Sequence, residues 1–388
     1  MPPLELKPES VWWSTLTPAQ QAELSRDDGL APEPDVLVVG GGIIGLAVAH
    51  ALALQKQSVQ LIEQGTLGGG ATAGSAGGIW PADQGPLHPP GFGPLALLSR
   101  DLWGRLSLKP DFDLDWRVNG FLTVNPERFQ GDAPRFAAQA QELGYTVHAI
   151  DAEQVARLEP RLAPAPAGGI HCPSDAHLHP LKGAVSFARA ARRGKARLAV
   201  QTRLLDIQRA GGRVVSVNTS RGVCQPRHLV LCTGHEASLP AGVLRPVWGQ
   251  LIATEPLPPL IKCTIGGPFL TLQLKTGEVV TGGTQAEGAN LVPDAELSAK
   301  LVEGTRQLLP GAADLRFTRV WCGVRSTTRD GLPIIDRAVG SENEWLAVGH
   351  HRNGLLLAPA TAELLARWML TDDQPEELQA CGLRRLVE

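Results

Sequence analysis

Residues Asp35–Leu54 read DVLVVGGGIIGLAVAHALAL, and this stretch decides the predicted fold. The β-branched run at 35–39 predicts a buried strand, and the small and apolar residues at 42–53 predict a helix directly after the glycines. A second apolar run, SVQLI at 58–62, predicts another strand. A strand, a helix and a strand in close succession indicate a βαβ unit and therefore an α/β fold.

Gly40, Gly42 and Gly45 have the spacing G-x-G-x-x-G between the predicted strand and helix. The first glycine allows a tight turn, the second lets the backbone approach a pyrophosphate, and the third lets the helix lie close to the sheet. Glu63 ends the next strand, where a carboxylate accepts hydrogen bonds from ribose hydroxyls. We interpret this pattern as a dinucleotide-binding fingerprint; the alternative is a glycine-rich turn with a solvated glutamate.

A second glycine-rich stretch, GGGATAGSAGG at 68–78, follows Glu63. Its backbone can lie against an extended ligand that continues from the first fingerprint, which favours FAD over NAD. The alternative is a flexible linker, which composition alone does not exclude.

The bulk composition indicates a globular protein with a small-molecule partner. The chain has 388 residues, enough for two domains, with 43% hydrophobic and 19% charged residues. Lys and Arg number 36 and Asp and Glu 39, a net charge of −3. Because like charges are not clustered, we expect neither a nucleic-acid partner nor a basic membrane-binding patch.

The cysteines and the first residues predict a cytoplasmic protein with reduced thiols. The six cysteines form no C-x-x-C pair, so no disulfide framework or metal site is expected. The opening MPPLELKPES has no basic segment followed by an apolar one, unlike a secretory signal. The apolar stretch 36–54 approaches the roughly 20 residues of a membrane span, but the glycines at 40–42 favour a strand and a helix.

The remaining elements predict a discontinuous organisation. Residues 1–34 look like an extension, which Trp12 and Trp13 dock on the body by packing. Helices are predicted at 133–143, 151–158, 295–309 and 354–370, and strands at 204–208, 213–219, 228–234, 318–324 and 344–348.

These features resemble the D-amino-acid-oxidase superfamily of FAD oxidoreductases, and within it the glycine oxidases of thiamine biosynthesis. The resemblance covers about residues 35–375. It rests on VVGGGIIGLAVA, LIEQGTLGGGATAGSAGG, EPRLAPAPAGGIHCPSDAHLHP, LVLCTG, VWCGVRSTTRDGLPIID and, most specifically, VGHHRNGLLLAPATAELLA.

The resemblance implies a doubly wound, Rossmann-like FAD-binding domain interleaved with an α+β substrate domain on a mixed, largely antiparallel sheet. The expected divisions are an extension at 1–34, the FAD-binding domain at 35–85, 175–240 and 320–375, the substrate domain at 86–174 and 241–319, and a tail at 376–388. The cofactor-binding residues implied, beside the fingerprint glycines Gly40, Gly42 and Gly45, are Ile43, Ile44, Glu63, Gln64, Ala71, Thr72, Ala76, Gly77, Gly78, Leu204, Gly234, His350, His351, Arg352, Asn353, Gly354, Leu355 and Leu356.

For the chemistry, the resemblance implies that Arg325 and Arg352 meet the carboxylate of an amine substrate. A guanidinium suits this role because its planar fork forms two parallel hydrogen bonds with a carboxylate. Hydride transfer to FAD would leave an imine, and O₂ would be reduced to H₂O₂; no side chain is assigned as acid or base. Two alternatives stay open: a dehydrogenase that passes electrons to a quinone or carrier, and a non-catalytic FAD-binding module.

The sequence departs from glycine oxidases near the substrate. Leu270 stands where they have a tyrosine, and Gly78 stands where they have a bulky residue, so we expect a roomier, more apolar pocket. Tyr145 cannot be assigned to replace the missing tyrosine. Covalently flavinylated relatives carry a cysteine at the position of Gly323; because Cys322 is one residue away and points to the other face, non-covalent FAD is expected. A homo-oligomer is a further expectation that the sequence leaves open.

Overall fold

The computed structural model describes residues 6–129, 131–163, 165–237, 239–310 and 315–387. Residues 1–5 of the predicted extension and Glu388 of the predicted tail lie outside these ranges. The α-helices of the described part are α1 (Val11–Ser14), α2 (Pro18–Ser25), α3 (Ile43–Leu54), α4 (Phe92–Ser107), α5 (Ala133–Glu142), α6 (Ala152–Leu158), α7 (Pro180–Arg193), α8 (Ala295–Leu308), α9 (Gly354–Thr371) and α10 (Arg384–Val387).

The strands of the same ranges form four sheets. They are β1 (Lys7–Pro8), β2 (Val36–Val39), β3 (Val59–Ile62), β4 (Gly78–Ile79), β5 (Arg117–Val118), β6 (Phe121–Thr123), β7 (His148–Asp151), β8 (Gly168–Cys172), β9 (Ala176–His177), β10 (Arg197–Ala199), β11 (Leu204–Ala210), β12 (Arg213–Thr219), β13 (Gly222–Cys224), β14 (His228–Leu231), β15 (Arg245–Thr254), β16 (Thr264–Gly266), β17 (Leu270–Gln273), β18 (Val279–Gly282), β19 (Ala286–Glu287), β20 (Phe317–Thr327), β21 (Ile334–Arg337) and β22 (Glu344–Val348).

The predicted βαβ unit is confirmed as β2, α3 and β3, and it lies at the centre of a six-stranded sheet. The strand order is β10-β3-β2-β14-β22-β21, and every neighbouring pair is parallel except β21 with β22. β2, β3 and β22 are buried along their whole length, as expected for a sheet covered on its faces. The carboxyl ends of β2, β3, β14 and β22 therefore meet at one edge, where ligands bind in such sheets.

The stretch 36–54 is divided between β2 and α3, so it is not one continuous helix. None of the helices in the described ranges has both the length and the hydropathy needed to cross a membrane.

A second, ten-stranded sheet is mixed and largely antiparallel. Its path is β1-β20-β15-β18-β17-β16-β6-β8-β7, with β19 paired to β15; only β1 with β20 and β16 with β6 run parallel. The long pair β15 and β20 brings this sheet against the glycine-rich segment 68–78. The domain boundary predicted at residue 320 falls inside β20, which belongs to this sheet over its whole length.

The N-terminal extension is integrated into the body. β1 pairs with β20, the side chain of Trp12 is 1% exposed, and its Nε1 donates to the Ser75 carbonyl at 2.8 Å. The hydroxyl of Ser10 donates to the Ala73 carbonyl at 2.9 Å. Packing by Trp12, as predicted, thus joins the extension to the second glycine-rich stretch.

Helix α4 was not among the predicted elements, and it supports the start of α9. Pro359 has no N–H to donate to the carbonyl of Leu355, one turn earlier. In its place, Nε1 of Trp103 on α4 donates to the Leu355 carbonyl at 2.9 Å, and the hydroxyl of Ser99 donates to the Leu356 carbonyl at 2.6 Å. The two α4 side chains therefore satisfy the backbone that the proline disturbs.

Candidate active site

A cavity of about 850 Å³ extends from the carboxyl edge of the six-stranded sheet to strands β17 and β20 of the large sheet. Its volume lies in the upper part of the range for ligand and cofactor sites, roughly 300–1,000 Å³. The predicted site residues that line it are Gly40, Gly42, Ile43, Ile44, Glu63, Gln64, Ala71, Thr72, Ala76, Gly78, Leu204, Gly234, Arg325, His350, His351, Arg352, Asn353, Gly354 and Leu355.

Three predicted cofactor-binding residues, Gly45, Gly77 and Leu356, do not line the cavity. A Cβ on Gly45 would lie 1.9 Å from the carbonyl oxygen of Gly40, so this glycine lets the helix approach the turn. Gly77 has φ +85° and packs against the Leu178 carbonyl and Trp12. Leu356 is buried in the core. These three residues therefore shape the backbone and the packing behind the cavity wall.

The turn between β2 and α3 forms a cradle for an anion. Gly40 has φ +109°, and a Cβ there would lie 2.5 Å from the Cys232 carbonyl oxygen. The N-cap Gly42 makes no side-chain capping bond, and the hydroxyl of Thr72 accepts from the N–H of Ile43 at 3.0 Å. Because the first N–H groups and the positive end of α3 face the cavity, this turn suits a pyrophosphate.

Glu63 lies beside this turn, and backbone groups fix its carboxylate. One oxygen accepts from the N–H of Gly41 at 2.6 Å and the other from the N–H of Gly65 at 2.7 Å. The amide of Gln64 donates to Glu236 at 2.9 Å. A carboxylate oxygen can accept more than one hydrogen bond, so the arrangement leaves acceptor sites for ribose hydroxyls.

The second glycine-rich stretch is an ordered series of turns. At Gly70 a Cβ would have no atom of another described residue, beyond its chain neighbours, within 4 Å, so the backbone there is open to a ligand. At Gly74 a Cβ would lie 2.6 Å from the Cα of Gly323 in β20. The two backbones touch, so neither position has room for a side chain. Cys322, the neighbour of Gly323, points its Sγ toward Gln250 and does not line the cavity.

The residues before α9 bring the N-terminus of that helix to the cavity wall. Asn353 makes no side-chain capping bond, which leaves the first turn of α9 open. His350 is buried, and its Nε2 lies 3.1 Å from the hydroxyl of Thr361. His351 has φ +50°, and its Nε2 is buried without a partner among the described residues. Burial, with Arg352 and Arg325 nearby, lowers the pKa of His351 to about 4, so its imidazole is neutral at pH 7.

The guanidiniums of Arg325 and Arg352 both line the cavity but have different partners. Arg325 donates from Nη1 to the Thr284 carbonyl at 3.1 Å and has no carboxylate partner within the described ranges. Arg352 is paired with Asp83 through two bonds, of 2.6 and 3.1 Å. Burial, and then the charge of Arg352, lowers the pKa of Arg325 to about 10. Gly249 on β15 leaves the room that Arg325 occupies, since a Cβ there would lie 2.5 Å from Nη1.

One part of the cavity wall is formed by apolar side chains, most of them from the large sheet. Leu270, the position of the missing tyrosine, lines it together with Trp80, Phe121 and Leu251. The extra room expected at Gly78 is absent, because a Cβ there would lie 2.3 Å from the Trp80 indole. Trp80 therefore occupies the space of a side chain at position 78. Tyr145 is buried elsewhere and does not line the cavity.

Sequence reasoning missed Asp83, Trp80, Thr233 and Trp13, which also line the cavity. Asp83 and Trp80 follow the glycine-rich stretch directly, so an extension of that motif by five residues would have included them. Trp13 lies far from any nucleotide motif, and no local signal marks it.

The residues present fit FAD. The cavity has a glycine cradle that a Cβ would fill, two helix N-termini and a fixed carboxylate at the adenosine end. Buried polar atoms without partners in the described ranges also belong to lining residues, among them Thr233 Oγ1, His351 Nε2 and Trp80 Nε1. Such atoms are normally satisfied, so they favour a polar ligand in this space. The fold and the site together define a dinucleotide-binding flavoprotein.

Comparison with known proteins places the chain within this class. A model of the DAO family, FAD dependent oxidoreductases, matches residues 35–368, and the chain belongs to that family. Glycine oxidase of Bacillus licheniformis is 29% identical over 355 residues, 87% of this chain and 93% of that protein. Glycine oxidase of Pseudomonas aeruginosa is 31% identical over 354 residues, 86% of this chain and 94% of that protein. The crystal structure of glycine oxidase from Geobacillus kaustophilus superposes with a TM-score of 0.84 at 26% identity, over 91% of this chain and 99% of that one.

The predicted family, α/β fold and FAD dependence are thereby confirmed: the protein is an FAD-dependent oxidoreductase that resembles the glycine oxidases.

Proposed function

We propose that the protein oxidises a small amino acid or an N-substituted glycine and passes the electrons to O₂, which is reduced to H₂O₂. The observation that carries this proposal is Arg325, a cation in the cavity wall that has no carboxylate partner within the described ranges. A buried charge is costly unless it is paired, so a substrate carboxylate is the natural partner for this guanidinium.

FAD would be held without a covalent bond by the predicted residues that line the cavity. The turn at Gly40–Ile44 and the hydroxyl of Thr72 face the pyrophosphate in this arrangement, with Glu63 at the ribose. Leu204 and Gly234 line the adenosine end, and Ala76, Gly78 and the stretch 350–355 line the flavin end. The Cys322 thiol points to Gln250 and away from the cavity, which supports the non-covalent mode.

When bound, FAD supplies the hydride acceptor for this reaction. Arg325 would bind the carboxylate and fix the distance between that group and the reacting C–H. The apolar wall of Leu270 and Trp80 would exclude water from the carbon and favour the neutral amine. The neutral amine would lose a hydride from its carbon and become an iminium ion, which water hydrolyses to an oxo acid and ammonium or a protonated primary amine. We assign no side chain as acid or base, since the neutral amine needs none.

The experiment is anaerobic reduction of the holoprotein by glycine, sarcosine, N-ethylglycine and D-alanine, followed by admission of air and measurement of H₂O₂. Bleaching of the flavin absorbance by at least one amine, with stoichiometric peroxide, is the expected result. Bleaching without peroxide would overturn the choice of O₂ and favour a quinone or carrier. No bleaching by any amine would overturn the proposed function.

Arg325→Ala provides the test of the anchor. Removal of a charged hydrogen-bonding group costs about 1.5–3 kcal/mol, so KM or the Kd of a competing carboxylate rises roughly 10- to 150-fold. The matched control is Arg329→Ala, an exposed arginine of the segment after β20 that points away from the cavity and donates to the Arg385 carbonyl. Equal effects of the two substitutions would contradict the assignment.

A further inference from the structure

We propose that Asp83 determines how many carboxylates a substrate can carry. Because Asp83 pairs with Arg352, Arg325 is left as the anchor for the substrate carboxylate. The site therefore selects amines with a single carboxylate and rejects dicarboxylates. This inference rests on the proposed function only in taking a carboxylate as the group that Arg325 binds. It replaces the expectation that both guanidiniums meet the substrate.

The pair of Asp83 and Arg352 is geometrically complete. Both carboxylate oxygens are bonded to the guanidinium, at 2.6 and 3.1 Å, in the fork arrangement that gives the strongest such pairs. The Asp83 side chain is 1% exposed and that of Arg352 is 18% exposed. A substrate carboxylate that approached Arg352 would meet a guanidinium whose charge a fully buried anion already offsets.

Asp83 is held in place from a second side as well. Nε2 of His88 lies 3.6 Å from Oδ1 of Asp83, and the His88 ring stacks on Phe92 at the start of α4. Burial alone would raise the pKa of Asp83, but Arg352 and His88 lower it below its usual range. The carboxylate is thus ionised at neutral pH and cancels the charge of Arg352.

The surroundings of this pair contain a further acid. Asp175 is completely buried, and both of its oxygens lack a partner in the described ranges. Burial and the charge of Asp83 raise the pKa of Asp175 well above its usual value. A second carboxylate of a substrate would bring another negative charge to a region where burial and Asp83 already disfavour the charged form of one acid.

The cations of the cavity therefore give a simple balance. Next to the anchor, Arg325 contributes one positive charge without a carboxylate partner in the described ranges, the Asp83–Arg352 pair contributes none, and His351 is neutral. Arg128 and Arg203 line other parts of the cavity, since the charge of Arg352, and not theirs, acts on the pKa of Arg325. The walls formed by Trp80, Phe121 and Leu270 are apolar. One carboxylate is stabilised beside Arg325, and a second one at this end of the cavity finds either an apolar wall or the anion Asp83.

The test compares two carboxylate ligands that differ in charge, acetate and malonate, in titrations of the holoprotein followed by the flavin absorption spectrum. Neither ligand is oxidised, so the test does not depend on turnover. We expect wild-type protein to bind acetate more tightly than malonate. In Asp83→Asn the freed Arg352 should improve malonate binding roughly tenfold or more relative to acetate, the effect of one additional charged hydrogen bond.

Glu342→Gln is the matched control, because it removes a carboxylate partner from Arg213 in an exposed surface pair and changes the net charge equally. Its malonate-to-acetate ratio should equal that of the wild type. Asp83→Ala repeats the test with a side chain that cannot form a hydrogen bond with Arg352. Measurements of FAD content and thermal unfolding verify that each variant is folded.

Three results would overturn the inference: an unchanged ratio in both Asp83 variants, a wild type that prefers malonate, or weaker acetate binding in Asp83→Asn. The last result would mean that Asp83 supports the acetate-binding site instead of withdrawing Arg352 from it. If no amine bleaches the flavin but the acetate and malonate ratios change as expected, the proposed reaction fails while the charge selection by Asp83 stands.

Discussion

Replacing Trp103 by phenylalanine should weaken the support of α9, the helix whose first turn faces the flavin end of the cavity. Trp103 Nε1 donates to the Leu355 carbonyl at 2.9 Å, and Pro359 cannot provide the usual N–H for that oxygen. Phenylalanine keeps a ring in the same place but has no donor. The carbonyl of Leu355 is then buried without a partner, which costs about 1–3 kcal/mol.

The matched control for this substitution is Trp321→Phe. Trp321 is also buried, at 5% exposure, but its Nε1 has no partner among the described residues. Both substitutions remove similar apolar area, so their difference isolates the hydrogen bond. We expect the free energy of unfolding, from urea denaturation of the two holoproteins, to fall by about 1–3 kcal/mol more for Trp103→Phe than for Trp321→Phe. A difference below about 0.5 kcal/mol would refute the argument that α4 satisfies the proline-disturbed backbone.

Three further predictions concern the cavity and the core. Gly249→Ala should displace both the guanidinium of Arg325 and its acceptor, because a Cβ would lie 2.1 Å from the Thr284 carbonyl oxygen and 2.5 Å from Nη1, and should raise the Kd for acetate about tenfold. Flavin titration measures this, and an unchanged Kd would contradict the placement of the anchor. Trp12→Phe removes the bond to the Ser75 carbonyl and should weaken FAD binding several-fold in fluorescence titration of the apoprotein, whereas the nearby Ser14→Ala should not. His50, His177, His179, His350 and His351 have pKa values lowered to about 3–4 by burial. Since the unfolded chain binds these protons near pH 6.5, stability is complete above that pH and falls between about pH 6.5 and 3. His179→Gln should flatten this pH profile of urea unfolding, and an identical slope would count against the explanation.

The nucleotide-binding part of the fold could be predicted because its determinants are local. A βαβ unit needs a β-branched run, a glycine turn and an apolar helix, and all of them lie within 35–62. The positions of α3, α5, α6, α8 and α9 agree with the sequence patterns to within a residue or two. Helix α4 escaped prediction because its N-cap Gly91 has φ +88° and no capping bond, and a proline stands in its first turn. The helix is held instead by tertiary contacts, because the side chains of Ser99 and Trp103 donate hydrogen bonds to the backbone of α9.

Sequence motifs predicted the site residues that directly follow the strands of the six-stranded sheet. They did not predict the contacts between segments that are distant in the chain. The six-stranded sheet brings the ends of β2, β3, β14 and β22 together, so residues that follow each strand line one cavity. The state of Arg352 could not be deduced in this way, because its partner Asp83 lies 269 residues earlier in the chain. The room beside Gly78 was misjudged for a similar reason: the Trp80 indole folds back over it.

By itself, the sequence determined the βαβ unit, the dinucleotide fingerprint and the family, since backbone geometry in a tight turn is set by the residues of that turn. Only the tertiary structure decided which charges remain free, because the pairing of Arg352 with Asp83 and the isolation of Arg325 depend on which side chains share a buried volume. It also decided that the backbones at Gly74 and Gly323 touch and that the N-terminal extension packs on the glycine-rich stretch. Contacts between distant segments are set by packing and electrostatics in three dimensions, which local patterns do not contain.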